Sequence, residues 1–277
     1  MKLPFSGVSR TLLVPLVARA LSEELNPDLD FRDPAAKEAL GRLDVDPRPL
    51  SRDRASMRGA VVRARLIDRL AEVWFSHHPD GLGVSLGGGL DHRFRRIDNR
   101  RLRWVDLDLP DVVRFRRSLW PEQQRCRLVA GSLTDPAWIE TIGARPGEPL
   151  LVVVEGVLMY LSRDQVRAFF QEAAARLPAG STIIFDAGHW LGQRLRFTPG
   201  SVRSLGERFH WGFRRPAEVL AWAPALTLGQ QLSVLDGMST PYRLLGRSFS
   251  RITRGEQAYS VVELHVSGRP SASPSRT

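Results

Sequence analysis

The sequence predicts an α/β protein: a mostly parallel sheet covered by helices on both faces. Three observations carry this. Five short apolar runs begin near residue 83 and alternate with stretches of helical character. The run Leu150–Glu155 shows no polar alternation, as a central strand buried on both faces requires. A chain of 277 residues is long enough for one large core.

The elements follow in order. Residues 8–25 read as helical, with Leu12, Leu13, Leu16, Val17 and Leu21 near a helical period. Asp33-Pro34 opens a short helix, since proline is accepted in a first turn. Residues 54–76 form a longer amphipathic helix whose Val62, Leu66, Leu70, Val73 and Trp74 share a face. His77-His78-Pro79-Asp80-Gly81 breaks it. Strands are expected at Gly83–Leu86, Leu102–Leu107, Arg127–Ala130, Leu150–Glu155 and Thr182–Asp186. Helices are expected at Asp111–Trp120, Pro136–Ile142 and Arg163–Leu177. Residues 188–222, rich in Arg, Trp and Phe, read as a helical insertion over one end of the sheet. Two late strands, near Ala225–Leu235 and Ala258–Val266, are long enough to pair antiparallel at the sheet edge. The tail from Ser267 to Thr277 has the composition of a disordered segment.

Composition narrows the function. At 43% hydrophobic and 25% charged residues, the chain belongs to the globular class rather than the disordered or fibrous ones. No apolar run reaches the roughly 20 residues of a membrane span. The N-terminus lacks the pattern of a signal peptide, so a cytoplasmic protein is expected. Cys126 is the single cysteine, which excludes an intrachain disulfide or a cysteine-based zinc site. No histidine pair has metal-ligand spacing, and no metal is expected. The net charge of +10 is spread along the whole chain, and all its basic residues but Lys2 and Lys37 are arginines. A nucleic-acid surface would cluster them beside stacking aromatics, so an acidic small molecule is the better partner.

The stretch "GVSLGGGLDHRFRRI" carries the chemistry. An apolar strand ends in Gly87, Gly88 and Gly89, and a helix start follows. The third glycine of a dinucleotide fingerprint would fall at position 92, which is His92. That disfavours NAD and FAD, whose pyrophosphate needs the close packing. S-adenosylmethionine has no pyrophosphate and still needs glycines where the backbone passes its amino-acid end. Asp106 and Asp108 close the next strand about 20 residues on, where an acid binds ribose hydroxyls. Glu155 closes the apolar strand "VVVEG" at the edge where open α/β sheets bind ligands. Each piece also has a plain structural reading, as a tight turn, a loop acid or a helix cap. Their common spacing favours an adenosyl cofactor.

Taken together, "GVSRTLLVPLVARA", "RGAVVRARLID", "LGGGLDHRFRR", "WVDLDLPDV", "VVEGVLMYL" and "RFHWGFRRPAEVLAW" resemble the leucine carboxyl methyltransferase family. The nearer likeness is to its bacterial branch, which includes O-methyltransferases of polyketide biosynthesis. The resemblance spans roughly residues 5–265. It implies a Rossmann-like class I methyltransferase fold with a seven-stranded sheet, a helical cap over residues 1–80, and a catalytic core over 81–266. Within that core, the insertion near 188–222 would form a lid. It implies further that Arg58 holds the cofactor carboxylate, assisted by Arg19, and that Gly87 and Gly89 form the glycine loop. Asp108, with Asp106 beside it, would bind ribose, and Glu155 would lie beside the methionine portion. Where the family often has an acid followed by leucine, near the adenine, this chain has Ser132-Leu133. A serine hydroxyl accepts the same hydrogen bond without the charge, with Asp135 as the alternative.

Methyl transfer to oxygen needs alignment and exclusion of water. A carboxylate acceptor is already ionised, whereas a phenol benefits from a base. The candidate bases are His189, His210 and Tyr160. Trp190 and Trp211, with the other aromatics and arginines of the insertion, are candidates to hold a flat, acidic acceptor. The expected function is O-methylation of a small, aromatic or polyketide-derived metabolite by a monomer or homodimer. The alternatives are a catalytically inactive binding protein of the same fold, a protein carboxyl methyltransferase, an NAD-dependent oxidoreductase and a nucleic-acid methyltransferase.

Overall fold

The computed structural model describes residues 11–195 and 198–267. The expected helix start at residue 8, Phe197 of the aromatic insertion and the tail from residue 268 onward lie outside the described residues.

Before the sheet, the chain forms α1 (Leu13–Ala20), α2 (Ser22–Leu25), α3 (Pro34–Arg42), α4 (Arg48–Ser51) and α5 (Arg54–His77). Then follow β1 (Leu82–Leu86), α6 (Arg93–Ile97), β2 (Arg103–Asp108), α7 (Pro110–Leu119), β3 (Cys126–Ala130), α8 (Trp138–Thr141), β4 (Leu150–Val154), α9 (Arg163–Arg176) and β5 (Thr182–Gly188). The last part holds α10 (Trp190–Arg194), α11 (Gly200–Arg203), α12 (Ala217–Trp222), β6 (Leu226–Ser233), α13 (Thr240–Ile252) and β7 (Tyr259–Val266).

Local chemistry explains the main boundaries. The Asp53 carboxylate accepts from the backbone N–H of Ser56 at 3.1 Å and so caps α5. From there Met57, Val61, Ala64, Ile67, Ala71 and Trp74 recur every three or four residues as a buried stripe. Pro34 begins α3 behind an Asp33 cap. Ser162 and Gln165 form a reciprocal capping box at the start of α9.

The seven strands lie in the order β3-β2-β1-β4-β5-β7-β6. Strands β1 to β5 run parallel, and β7 is antiparallel to both β5 and β6. The chain winds outward from β1 to β3, then returns and winds the other way from β4. The order therefore reverses between β1 and β4, and a crevice opens there at the carboxyl ends of the strands.

Each face of the sheet has its own core. On one face Trp104, Leu151, Val153, Ile184 and Val261 pack with α1, α3, α5 and α7. On the other, Val84, Leu107, Val152, Phe185 and Val262 pack with α9, Trp138, Trp211 and Phe213. The helices before β1 thus share a core with the sheet.

Two regions differ from the sequence reading. The described residues of 188–222 are mostly irregular, with only the short α10, α11 and α12 as helices. Pro199, Gly206, Gly212 and Pro216 fall between these helices and break helical continuity. Helix α13 stands between the two late strands, where the reading placed none.

Candidate functional site

The crevice between the ends of β1 and β4 opens into a cavity of about 1220 Å³. Its walls differ in chemistry. One is charged and comes from α1, α5, the glycine turn and the ends of β2 and β4. The other is apolar and comes from the chain after β5 and from α13.

The glycine turn forms the base of the charged wall. Gly87 and Gly89 both have positive φ, +69° and +56°. A Cβ on Gly87 would lie 2.8 Å from a Val157 methyl, and one on Gly89 would run into Leu12. Only glycine satisfies both the dihedral and the space. Gly87 and Gly88 line the cavity, while Gly89 lies behind them. The N–H of Gly89 donates to Asp108 Oδ2 at 2.7 Å, and the N–H of Leu109 donates to Oδ1 at 2.8 Å. These two bonds lock the Asp108 carboxylate at the cavity wall. Burial raises its pKa above the ordinary aspartate value, and the two N–H donors oppose that rise.

Asp106 does not reach the cavity. It lies two residues deeper on the same face of β2. There it accepts from Arg116 at 2.6 Å and from the Trp104 indole at 3.0 Å. It is a buried structural ion pair.

A network of buried charges surrounds Glu155. Arg63 donates to Glu155 at 2.9 Å and to Asp186 at 3.2 Å, and Arg93 also pairs with Glu155. Arg93 bonds Asp68 at 2.6 Å and lies 3.4 Å from Asp91. Arg19 lies 3.0 Å from Asp33 and 3.6 Å from Asp91, and donates to the Leu90 carbonyl at 2.9 Å. Burial alone would raise the pKa of Glu155. Arg63 and Arg93 outweigh it and hold the group below the usual range. Asp91 is held well below it in the same way, by Arg19, Arg96 and Arg93 against burial. Arg19, Arg63, Arg93, Asp91 and Glu155 all line the cavity.

Arg58 lies elsewhere. Its guanidinium grips Asp28 at 2.8 and 2.6 Å, its Nε donates to the Gly237 carbonyl at 3.1 Å, and it is absent from the cavity wall. Five residues along a helix turn a side chain by about 140°. Arg58 and Arg63 of α5 therefore point different ways, and Arg63 is the one on the cavity. The motif "RGAVVR" contains both arginines. Reading the buried stripe of α5 as a register would have separated them.

Ser132 and Leu133 line the cavity after β3. The Ser132 hydroxyl lies 2.8 Å from that of Thr134 and accepts from the Thr134 N–H at 3.2 Å. Asp135 is exposed, off the cavity, and accepts from the Ala137 N–H at 3.0 Å.

The apolar wall holds Leu191, Leu195, Phe209, Trp211, Leu235, Met238, Tyr242, Leu245 and Phe249. Trp211 is buried between the cavity and Phe185. Trp190 is not on this wall; it lines a smaller pocket behind it, under the Arg194 guanidinium. Met238, Tyr242, Leu245 and Phe249 come from α13 and the turn before it, so the sequence reading missed them. Tyr242, Leu245 and Phe249 recur at three and four residues, a helical signal behind the Thr240-Pro241 start.

The three candidate bases separate. His210 is exposed and off the cavity. Tyr160 lines the cavity, but burial pushes its hydroxyl pKa up, which makes it a poor proton acceptor. His189 lines the cavity, and its Nε2 meets the Glu256 carboxylate at 2.7 Å. Its Nδ1 accepts from the Leu191 N–H at 3.3 Å. His92, left open by the sequence, is buried off the cavity, its ring edge-on to Trp120. Burial, then Arg116 and Arg95, lowers its pKa to about 3.

The charged wall fits an adenosyl cofactor by its donor set. Asp108 spends one lone pair per oxygen on the backbone and keeps others for a ribose diol. Guanidinium and carboxylate groups stand side by side, as a zwitterionic amino-acid end requires. The glycine turn leaves backbone where any side chain would intrude.

Comparison with known proteins agrees. The sequence profile of leucine carboxyl methyltransferase matches residues 12–174. The tetracenomycin polyketide synthesis O-methyltransferase TcmP of Streptomyces glaucescens is 35% identical over 83% of this chain and 84% of its own. An S-adenosyl-L-methionine-dependent methyltransferase of Gibberella zeae is 27% identical, over 84% and 85%. Among solved structures, a methyltransferase candidate of Thermobifida fusca shares the fold, with a TM-score of 0.56 at 17% identity, covering 92% of this chain and 94% of its own. The chain belongs to the leucine carboxyl methyltransferase family and has the class I methyltransferase fold. It is an S-adenosylmethionine-dependent methyltransferase.

Proposed function

We propose that this member of the leucine carboxyl methyltransferase family methylates an oxygen of a small aromatic, polyketide-type acceptor held against the apolar wall. The observation that carries this reading is the single cavity with two chemically distinct walls. At about 1220 Å³ it exceeds the 300–1,000 Å³ typical of a one-ligand pocket. A cofactor on the charged wall leaves room for a flat acceptor on the other. The similarity to a polyketide O-methyltransferase supports the substrate class.

When bound, the cofactor supplies an electrophilic methyl group on a sulfonium. The residues of the chain do the rest. Arg19, Arg63 and Arg93 balance the carboxylate of the amino-acid end, Glu155 and Asp91 its ammonium, and Asp108 its ribose. Ser132 and Leu133 border the adenine. Trp211 and Phe249 exclude water and orient an aromatic ring. For a hydroxyl acceptor, Glu256 holds His189 Nε2 and fixes the tautomer, and Nδ1 takes the proton once it gives up its long bond from the Leu191 N–H. A carboxylate acceptor needs no such step. In this reading residues 1–80 act as a cap, 81–266 as the catalytic core, and the chain near 188–222, together with α13, as the lid. No helix among the described residues is long and apolar enough to cross a membrane.

The test is methyl transfer from labelled S-adenosylmethionine to a panel of hydroxylated aromatics and aromatic acids. Labelled methyl ethers or esters of small aromatics are expected. Labelling of protein carboxyl groups alone, or of nothing while cofactor binds, would favour a protein methyltransferase or an inactive binding protein.

A further inference from the structure

Among the described residues four arginines line the cavity: Arg19, Arg63, Arg93 and Arg203. The first three are tied into the charged wall, which the proposed function gives to the cofactor. Arg19 pairs with Asp33 and Asp91, Arg63 with Glu155 and Asp186, and Arg93 with Asp68, Asp91 and Glu155. Arg203, the last residue of α11, differs. Among the described residues its guanidinium has no carboxylate within ion-pair distance. The segments outside the description, 1–10, 196–197 and 268–277, contain no aspartate or glutamate. No acidic side chain of this protein is therefore available there to neutralise it. Arg203 is exposed, so an acid reaches it without breaking an existing pair.

Asp53 is the acid on the cavity wall that contacts α11, and it is already engaged. Its oxygens accept from the Ser56 N–H at 3.1 Å, the Ser56 hydroxyl at 2.7 Å and the Ser201 N–H at 3.0 Å. Those bonds fasten α11 to the start of α5 and fix the helix that carries Arg203. Arg203 lines the same cavity as the apolar Leu191, Val202, Trp211 and Leu245. An exposed guanidinium without a carboxylate partner is open to pairing with an incoming anion. Its planar fork matches a carboxylate.

We infer that the acceptor is an aromatic acid and that Arg203 holds its carboxylate. This rests on the aromatic-acceptor reading and narrows it. The charge belongs to the acceptor, because the cofactor's own carboxylate meets Arg19, Arg63 and Arg93.

The experiment measures binding of matched probes to the protein saturated with S-adenosylhomocysteine. Salicylate is compared with phenol, and a hydroxynaphthoate with its naphthol. The wild type should bind each acid about tenfold or more tightly than its partner, as a charge-assisted pair implies. In Arg203→Gln the preference should collapse towards unity, and Arg203→Lys should restore part of it. S-adenosylhomocysteine binding, measured first, reports that each variant is folded. A wild type that binds phenol and naphthol as well as the acids overturns the inference and leaves the aromatic-acceptor reading standing. So does an acid preference that survives in Arg203→Gln. If neither acids nor phenols bind, both readings fail together.

Discussion

The two walls of the cavity are built by opposite means. The charged wall consists of side chains nearly sealed from solvent: Arg93 is 2% exposed and Arg19 3%. Each is fixed by several partners at once, so none can be changed alone. The apolar wall ends in exposed residues: Leu245 is 61% and Leu195 76% exposed. Helix α13 buries only Gly246 and turns Leu244 and Ile252 to the outside. A network of buried charges gives rigidity and a fixed ligand. A wall with little burial has little stability to lose and is free to differ between substrates. If the charged wall holds the cofactor and the apolar wall the acceptor, as proposed, the cofactor half is preorganised and the acceptor half is adjustable.

Breaking the network should show the largest effect. Arg93→Ala leaves Asp68, Asp91 and Glu155 without one of their cations. The cost expected for removing one partner of a buried pair is about 3–5 kcal/mol. Urea denaturation should report it. A loss below about 1 kcal/mol would mean that the wall is solvated and the contrast with the other wall is false.

Acid sharpens the same contrast. Asp91 and Glu155 titrate below their ordinary values of 3.8 and 4.5 in the folded protein. The unfolded chain therefore binds their protons first as pH falls. Their stabilisation is complete above about pH 4.5 and is lost as pH drops through the lowered folded values. Asp106 and Asp108 are raised by burial and act in the opposite sense, gaining relative stability as they protonate. Thermal denaturation should show wild-type Tm falling below that pH. Arg93→Ala, having lost a cation, should fall less steeply.

The smallest effect is expected on the apolar wall. Leu245→Ser should change stability by no more than about 0.5 kcal/mol, as exposed substitutions usually do, while raising the KM for an aromatic acceptor. A large loss of Tm would show that α13 is part of the core.

This contrast also explains what the sequence disclosed. The part of the charged wall built by one short motif and two strand ends was legible in the sequence. Gly87, Asp108 and Glu155 are forced into place by backbone that must turn or stop there. The sheet was legible for the same reason, down to the antiparallel pair at its edge. Arg63 was missed because choosing between two arginines of α5 requires the helix register, which a motif match does not consult. Asp106 was placed at the cofactor by spacing alone, although alternation along β2 sets it one layer deeper, where Arg116 claims it. On the apolar wall the stretch "RFHWGFRRPAEVLAW" marked Trp211, and no motif marked α13. Met238, Tyr242 and Phe249 come to share the cavity with Trp211 only through the fold, and their apolar character resembles that of any core residue. The insertion was read as helical from composition, while its glycines and prolines dictated mostly irregular chain.

One titration tests the central claim that the two walls bind different ligands. S-adenosylhomocysteine is titrated calorimetrically into wild type, Asp108→Asn and Phe249→Ala. The Asp108→Asn change keeps the size of the side chain and removes the charge and one acceptor, so affinity should fall roughly tenfold or more. Phe249→Ala should bind within about twofold of wild type, since Phe249 belongs to the other wall. Equal affinity for wild type and Asp108→Asn, or a comparable loss in Phe249→Ala, would contradict the division of the cavity.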